Sequence, residues 1–261
     1  MNKPNWGLWT LLLAALLFFV VLSFWQDGIR IGSFDLKTAS FVRNMKTLFQ
    51  PEDKVKTDSV ANEDDPDAWR APIDTTAKNI LFIGDSMLEG LAPRLAKYCD
   101  KNGHKLVEVI WYSSSTKVWG ESGRLAELIA KYHPDYIFVC LGANELYVPD
   151  IKNARRPHVK KMIAEIGNIP YVWIGPPNWD EDTGINDLIS QETGKGCFYL
   201  SANDPFERSR DGAHPTRASA HQWMDRVVKW MEVSCAHPIR LESPADGISR
   251  ASSIVIYPPP Q

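Results

Sequence analysis

The residues whose types could do chemistry fall in three short stretches. Ser86 follows an apolar run in Gly84-Asp85-Ser86-Met87. Asn144 follows another in Leu141-Gly142-Ala143-Asn144-Glu145. Asp211 and His214 lie three apart in Asp211-Gly212-Ala213-His214-Pro215-Thr216. A serine hydroxyl can attack a carbonyl, an imidazole can take its proton, and a carboxylate can hold that imidazole in one tautomer. An amide side chain can donate to the oxyanion that forms. These are the parts that acyl transfer needs. Each also has an ordinary structural role. Serine is a favoured N-cap, asparagine is common in turns, and an Asp–His pair can simply open a helix. The remaining histidines (His104, His133, His158, His221, His237) have no comparable setting and read as surface or packing residues.

The elements that must position these residues decide between the two readings. From Asn79 onward short apolar runs alternate with amphipathic stretches. Strands are expected at Asn79 to Ile83, His104 to Trp111, Asp135 to Leu141, Pro170 to Ile174 and Cys197 to Leu200. Helices are expected at about Ser86 to Lys101, Ser122 to Lys131, within Asp150 to Ile166, near Asn186 to Gln191, and at Thr216 to Met231. The last has Ala220, Trp223, Met224, Val227, Val228 and Met231 at helical spacing. Repeated β-α units imply a parallel sheet with helices on both faces, an α/β class. Ligands in such sheets bind at the carboxyl ends of the strands. Ser86, Asn144 and His214 all fall at that edge. Ser86 also stands where a helix begins, and free N–H groups and the helix dipole there favour developing negative charge.

GDSM, GANE and DGAHP, in this order and spacing, resemble the nucleophile, GxND and DxxHP blocks of the SGNH, or GDSL-type, hydrolase superfamily. The resemblance spans about Asn79 to Met231. It implies a three-layer α/β/α, flavodoxin-like fold with a five-stranded parallel sheet and no metal or other cofactor. It also implies Ser86 as nucleophile, His214 as base and Asp211 as its orienting residue. The oxyanion hole would be formed by Asn144, the Ser86 N–H and the N–H at the position of the family's second-block glycine. That position aligns with Thr116, while Gly120 comes a few residues late. Glu145 replaces the GxND aspartate. The expected activity is a serine esterase removing small O-acyl groups, acetyl foremost, from a glycan. Trp119, Tyr147 and Trp179, on nearby loops, are candidates to stack on a sugar or to pack against the domain. The alternatives are an O-acyltransferase with the same acyl-enzyme, or a non-catalytic envelope binding module on the same fold. A flavodoxin-like nucleotide site lacks its glycine-rich phosphate loop here.

The rest of the chain sets the context. It has 261 residues, 44% hydrophobic and 23% charged, with a net charge of -3, which disfavours a broadly basic nucleic-acid binder. Four cysteines without a CxxC speak against a disulfide scaffold or a structural zinc site. The stretch from Trp6 to Trp25 carries no charge. At ~1.5 Å per residue its length is ~30 Å, a bilayer core. Trp6, Trp9 and Trp25 lie near its ends, where indoles favour the interface. It reads as an uncleaved anchor, with a cleaved signal peptide and a buried core helix as alternatives. The expected organisation is a transmembrane anchor at 1–27, a stalk and acidic linker at 28–78, the hydrolase-like domain at 79–234 and a tail at 235–261. Leu36 to Phe49 reads as an amphipathic helix at the membrane surface or a plain stalk. Ser253 to Tyr257 reads as an edge strand or a segment along the domain. Lys and Arg counts around the span favour a cytoplasmic C-terminal side. The resemblance instead implies a periplasmic or otherwise extracytoplasmic domain, since anchored members often act on envelope sugars. In such an oxidising compartment Cys197 and Cys235 are candidates to pair, whereas Cys140, inside a strand, reads as a buried thiol.

Overall fold

Strands buried on both faces need apolar side chains at every position, and the central strands have them. Ile80 to Gly84 and Tyr136 to Cys140 are buried throughout. The computed structural model describes residues 69–244 and 253–260, with the backbone of two short strands, Ile29–Ile31 and Phe34–Leu36. Those two pair antiparallel within a unit spanning Met1–Ala61. The remainder forms a second unit.

In that second unit the strands are β1 (Asn79–Gly84), β2 (Lys105–Trp111), β3 (Tyr136–Cys140), β4 (Tyr171–Ile174), β5 (Phe198–Tyr199) and β6 (Ser253–Tyr257). The sheet order is β5-β4-β3-β1-β2-β6, and every pairing is parallel. The helices are α1 (Leu88–Asn102), α2 (Thr116–Ser122), α3 (Arg124–Tyr132), α4 (Ile151–Ile166), α5 (Ile185–Thr193) and α6 (Arg217–Ser234). One face of the sheet packs on α1 and α6 through residues such as Phe82, Leu91, Phe138 and Trp223. The other packs on α2 to α5 through Ile83, Val139, Trp119, Met162 and Leu188.

The sheet has six strands, not five. The sixth is the tail segment Ser253–Tyr257, which pairs with Val107–Trp111. Val255 and Tyr257 pack against the core, and Tyr257 meets Trp111 and the Arg124 guanidinium. The stretch after α6 also packs with this unit: Cys235, Ile239 and Leu241 are buried. The Ala71 and Asp74 N–H groups donate to Ala236 O and Pro238 O, both at 2.8 Å. The helix expected at about 122–131 is Arg124–Tyr132, and a further helix, Thr116–Ser122, precedes it. Gly123, at φ 69°, ends one and starts the next. Cys140 and Cys235 are buried, Cys197 is half-buried, and all are free thiols.

The stretch 6–25 lies outside the described residues, as does 37–49, while Leu36 ends one of the short strands. Among the described residues no helix is long and apolar enough to cross a membrane.

Candidate active site

The strand order reverses at β1, which is followed in sequence by β2 on one side and β3 on the other. That reversal opens a crevice at the carboxyl ends of β1 and β3. Gly84 ends β1 there. A Cβ on it would lie 2.1 Å from Leu88 Cδ1 and 2.4 Å from Cys140 O, so only glycine lets the two strand ends come so close. The next residue donates its N–H to Cys140 O at 3.3 Å. The chain then turns into α1 within three residues, which presents Ser86 at the crevice.

Ser86 does not cap α1. Met87 holds the N-cap position, and no side chain caps that end. The Ser86 hydroxyl instead meets His214 Nε2 at 2.8 Å, and His214 Nδ1 meets Asp211 Oδ2 at 2.8 Å. Asp211 Oδ1 accepts the N–H groups of Ala213 and His214 and the hydroxyl of Ser209, each at 2.9 Å. Those bonds, first the backbone one from His214, hold the Asp211 carboxyl well below the usual carboxylate range. An ionised Asp211 only accepts, so Nδ1 carries the proton and Nε2 offers its lone pair to the serine O–H.

The loop carrying this pair is built as a small hairpin. Ser209 N–H donates to His214 O and Thr216 N–H to Glu207 O, both at 2.8 Å. Thr216 then caps α6 by accepting from Ser219 N–H. Arg208 fastens the hairpin to the loop after β4. Its guanidinium donates to Ala213 O at 2.7 Å, Pro177 O at 3.0 Å and Asn178 O at 2.7 Å. Nothing in the sequence singles out Arg208, because all three acceptors are backbone carbonyls.

A polar layer lies behind the serine. Asp85 is fully buried and accepts the Met87 N–H at 3.0 Å. Burial pushes its carboxyl up to about 7, against that hydrogen bond. Asn144 Nδ2 donates to Ser114 O at 2.9 Å and, more weakly, to Asp85 Oδ2 at 3.4 Å. Gly142, at φ 120°, makes the turn that sets this asparagine beside the serine turn.

Thr116 is not placed to serve an oxyanion. It is fully buried, its N–H donates to Glu145 Oε2 at 2.7 Å, and its hydroxyl reaches Glu145 Oε1 at 3.0 Å. Arg155 Nε donates to the same Oε1 at 2.5 Å. The residue with the conformation a glycine would favour is Ser113, at φ 56° in the turn closed by Ser114 N–H to Trp111 O. Ser113 lines the same cleft as Ser86 and His214. Among the described residues, the N–H groups of Ser86 and Ser113 have no acceptor. Spacing pointed to Thr116, three residues after this one, because a serine at positive φ carries no compositional signal.

The aromatic candidates separate. Trp119 is fully buried, with Nε1 donating to Ser114 Oγ at 2.9 Å, so it packs and does not stack on ligand. Tyr147 and Trp179 are exposed, 59% and 37%, and meet edge to face with centroids 6.5 Å apart. The Trp179 indole donates to Ala143 O at 2.9 Å, beside Asn144. Among the described residues no group of three or more His, Cys, Asp or Glu is set to hold a metal ion.

A parallel α/β sheet with a Ser–His–Asp chain at its switch point defines the class: a fold and site like those of SGNH hydrolases. No family model matches the chain, and no curated protein matches it in sequence. Solved structures similar to it include the psychrotrophic esterase EstA from Pseudoalteromonas sp., with TM-score 0.46 and 16% identity over 59% of this chain and 98% of that one. Another is the lipase/acylhydrolase from Enterococcus faecalis, with TM-score 0.47 and 17% identity over 59% and 95% of the two chains. A salicylyl-acyltransferase from a tetracycline biosynthetic pathway has TM-score 0.42 and 16% identity over 61% and 55%.

Proposed function

We propose that this protein is a serine esterase that removes small O-acyl groups, acetyl foremost, from a glycan. The observation that carries the reading is the continuous chain of hydrogen bonds from Ser86 Oγ through His214 to Asp211, with 2.8 Å at each junction of imidazole and partner. A serine held this way is activated, not merely buried or capping. Ser86 Oγ attacks the ester carbonyl as its proton passes to His214 Nε2. Asp211 stays ionised and stabilises the imidazolium. The carbonyl oxygen becomes an oxyanion. The Ser86 N–H, the Ser113 N–H and Asn144 Nδ2 receive it, the last by giving up its long contact to Asp85. His214 returns the proton to the departing alcohol, leaving an acyl-serine. Water, deprotonated by His214, then releases the acid and restores the serine.

A glycan suits the surroundings. Tyr147 and Trp179 offer exposed rings on the β3 and β4 side of the serine, and aromatic faces with a polar handle suit sugars. We place the domain outside the cytoplasm, held to a membrane by the uncharged span from Trp6 to Trp25.

The test is active-site labelling of the full-length chain with a fluorophosphonate, alongside p-nitrophenyl acetate turnover and acetate release from an acetylated glycan. Wild type is expected to label and turn over. Ser86→Ala and His214→Ala are expected to do neither. A folded wild type that neither labels nor turns over would leave the non-catalytic binding module in its place.

A further inference from the structure

The cleft that holds Ser86 and His214 has a volume of about 700 Å³ and extends over α1 and α6. Its floor is the crossing of α1 and α6. A Cβ on Gly90 would lie 2.5 Å from Ala220 Cβ, so the helices touch there. On the β2 side the wall is polar and acidic. The Tyr112 hydroxyl donates to the exposed Glu89 carboxylate. That carboxylate keeps its second oxygen for another donor. On the α6 side the wall carries a guanidinium. Arg217 lines the cleft, is exposed, and has no carboxylate or carbonyl partner among the described residues.

Further cations lie past the cleft along the α1–α6 seam. Lys97, Arg94 and Arg217 all act on His221, and after burial their charges push its imidazole below its usual range. His221 Nε2 is itself buried with no partner. Asp225 is the acid on this seam, and it is occupied. It takes Arg94 at 2.7 and 3.2 Å and the Tyr98 hydroxyl at 2.7 Å. Asp211, at the cleft edge, is likewise engaged by His214 and two backbone N–H groups. Asp211 keeps its negative charge and Glu89 adds another, so the lining is not cationic as a whole; what sets Arg217 apart is that its guanidinium has no partner among the described residues. A planar guanidinium left free in a cleft matches a carboxylate or phosphate in two-point contact.

We propose that the cleft between α1 and α6 is a subsite for an acidic sugar residue next to the ester. Arg217 binds its anionic group, Lys97 adds long-range attraction, and Glu89 with Tyr112 takes its hydroxyls. The substrate class is thus an O-acylated anionic glycan, carrying either uronate carboxylates or phosphodiesters. This rests on the esterase reading above and adds to it the charge of the polymer.

The experiment measures acetate release by the full-length chain from three acetylated polymers of matched acetyl content: a neutral glycan, a polyuronate and a phosphodiester-linked glycan. Small p-nitrophenyl acetate is run beside them. Wild type is expected to prefer at least one anionic polymer over the neutral one by about tenfold at low salt, the size of one charge-assisted contact. Which polymer is preferred tells carboxylate from phosphate. Arg217→Gln is expected to cut that preference about tenfold, and Arg217→Glu further, because attraction becomes repulsion. High salt should erode the preference in wild type more than in Arg217→Gln. Lys160→Gln, an exposed cation on α4, is expected to keep the wild-type preference. Equal rates on neutral and anionic polymers, or an unchanged preference in Arg217→Gln, would overturn the subsite while leaving the esterase standing. No turnover of any ester and no fluorophosphonate label would take down both.

Discussion

Asp85 and Asp211 flank one serine, both accept backbone N–H groups of a tight turn, and their acidities move in opposite directions. Asp211 is 52% exposed, and hydrogen bonds hold it ionised far below the usual range. Asp85 is completely buried, and loss of solvent drives it up to about 7 even though it accepts the Met87 N–H. Water makes the difference. Hydrogen bonds add to hydration at the surface, but in the interior they only partly replace it. The contrast extends to whole regions. The Ser86–His214–Asp211 chain lies at the edge of an open cleft, where a proton can move and a substrate can enter. The layer behind it, with Asp85, Glu145 and Thr116 buried and Arg155 half-buried against Glu145, is polar and largely enclosed, and Glu145 takes both Thr116 donors and Arg155. One region does chemistry, and the other holds it in place.

The contrast breaks first at Ser86. Ser86→Ala should lower kcat by about 10⁴ or more while leaving the melting temperature close to wild type, because it removes a reacting atom and no buried partner. Esterase kinetics and thermal denaturation read the two halves of that expectation. The next effect belongs to the buried layer and should show in stability. Glu145→Leu strands the Arg155 charge and two Thr116 donors, and should cost about 3–5 kcal/mol in denaturant unfolding. Adding Arg155→Leu should recover a large share, since the remaining cost is then not that of an unpaired charge.

A surface change at Asp211 should do the reverse. Asp211→Asn should lower kcat about 10²–10³-fold, through loss of the imidazole's orientation and of imidazolium stabilisation in a solvent-screened position. Its denaturation midpoint should barely move.

The smallest expected effect is a slope. Asp85 ionises near 3.8 when unfolded and at about 7 when folded. Below about 4 both states hold the proton, and Asp85 makes no pH-dependent contribution. Between about 4 and 7 the folded state holds more protons, so stability falls as pH rises, and above about 7 the loss is complete. Asp85→Asn should flatten this part of the stability–pH curve. An identical slope in wild type and variant would show that Asp85 ionises freely in the folded state.

How much of this was legible in the sequence differs from element to element. Apolar runs such as NILFI and YIFVC place β1 and β3 within a residue or two, because a strand buried on both faces tolerates little else. The three blocks GDSM, GANE and DGAHP could be put on one sheet edge from the order of the elements alone. The third oxyanion position could not. The candidate proposed for it, Ser113, is marked by a backbone angle, and serine does not advertise positive φ as glycine does. Spacing placed Trp119 in a loop region and left stacking on a ligand and packing against the domain both open. It is interior because α2 begins at Thr116 and turns that side chain onto Trp111. Arg208 was invisible, since a guanidinium that binds only carbonyls needs no partner residue type.

By itself the sequence determined the alternation of strands and helices, the parallel class, and which hydroxyl, imidazole and carboxylate lie at the carboxyl edge. Those follow from local periodicity and from the geometry of β-α units, which are properties of short stretches of chain. Only the tertiary structure decided that Ser86 binds His214 and does not cap α1. The same is true of Thr116 serving Glu145, of Ser253–Tyr257 completing the sheet, and of the uncommitted Arg217 facing the cleft. Each of these is a meeting of residues far apart in the chain. Their distances, burial and competing partners exist only once the strands have been brought side by side.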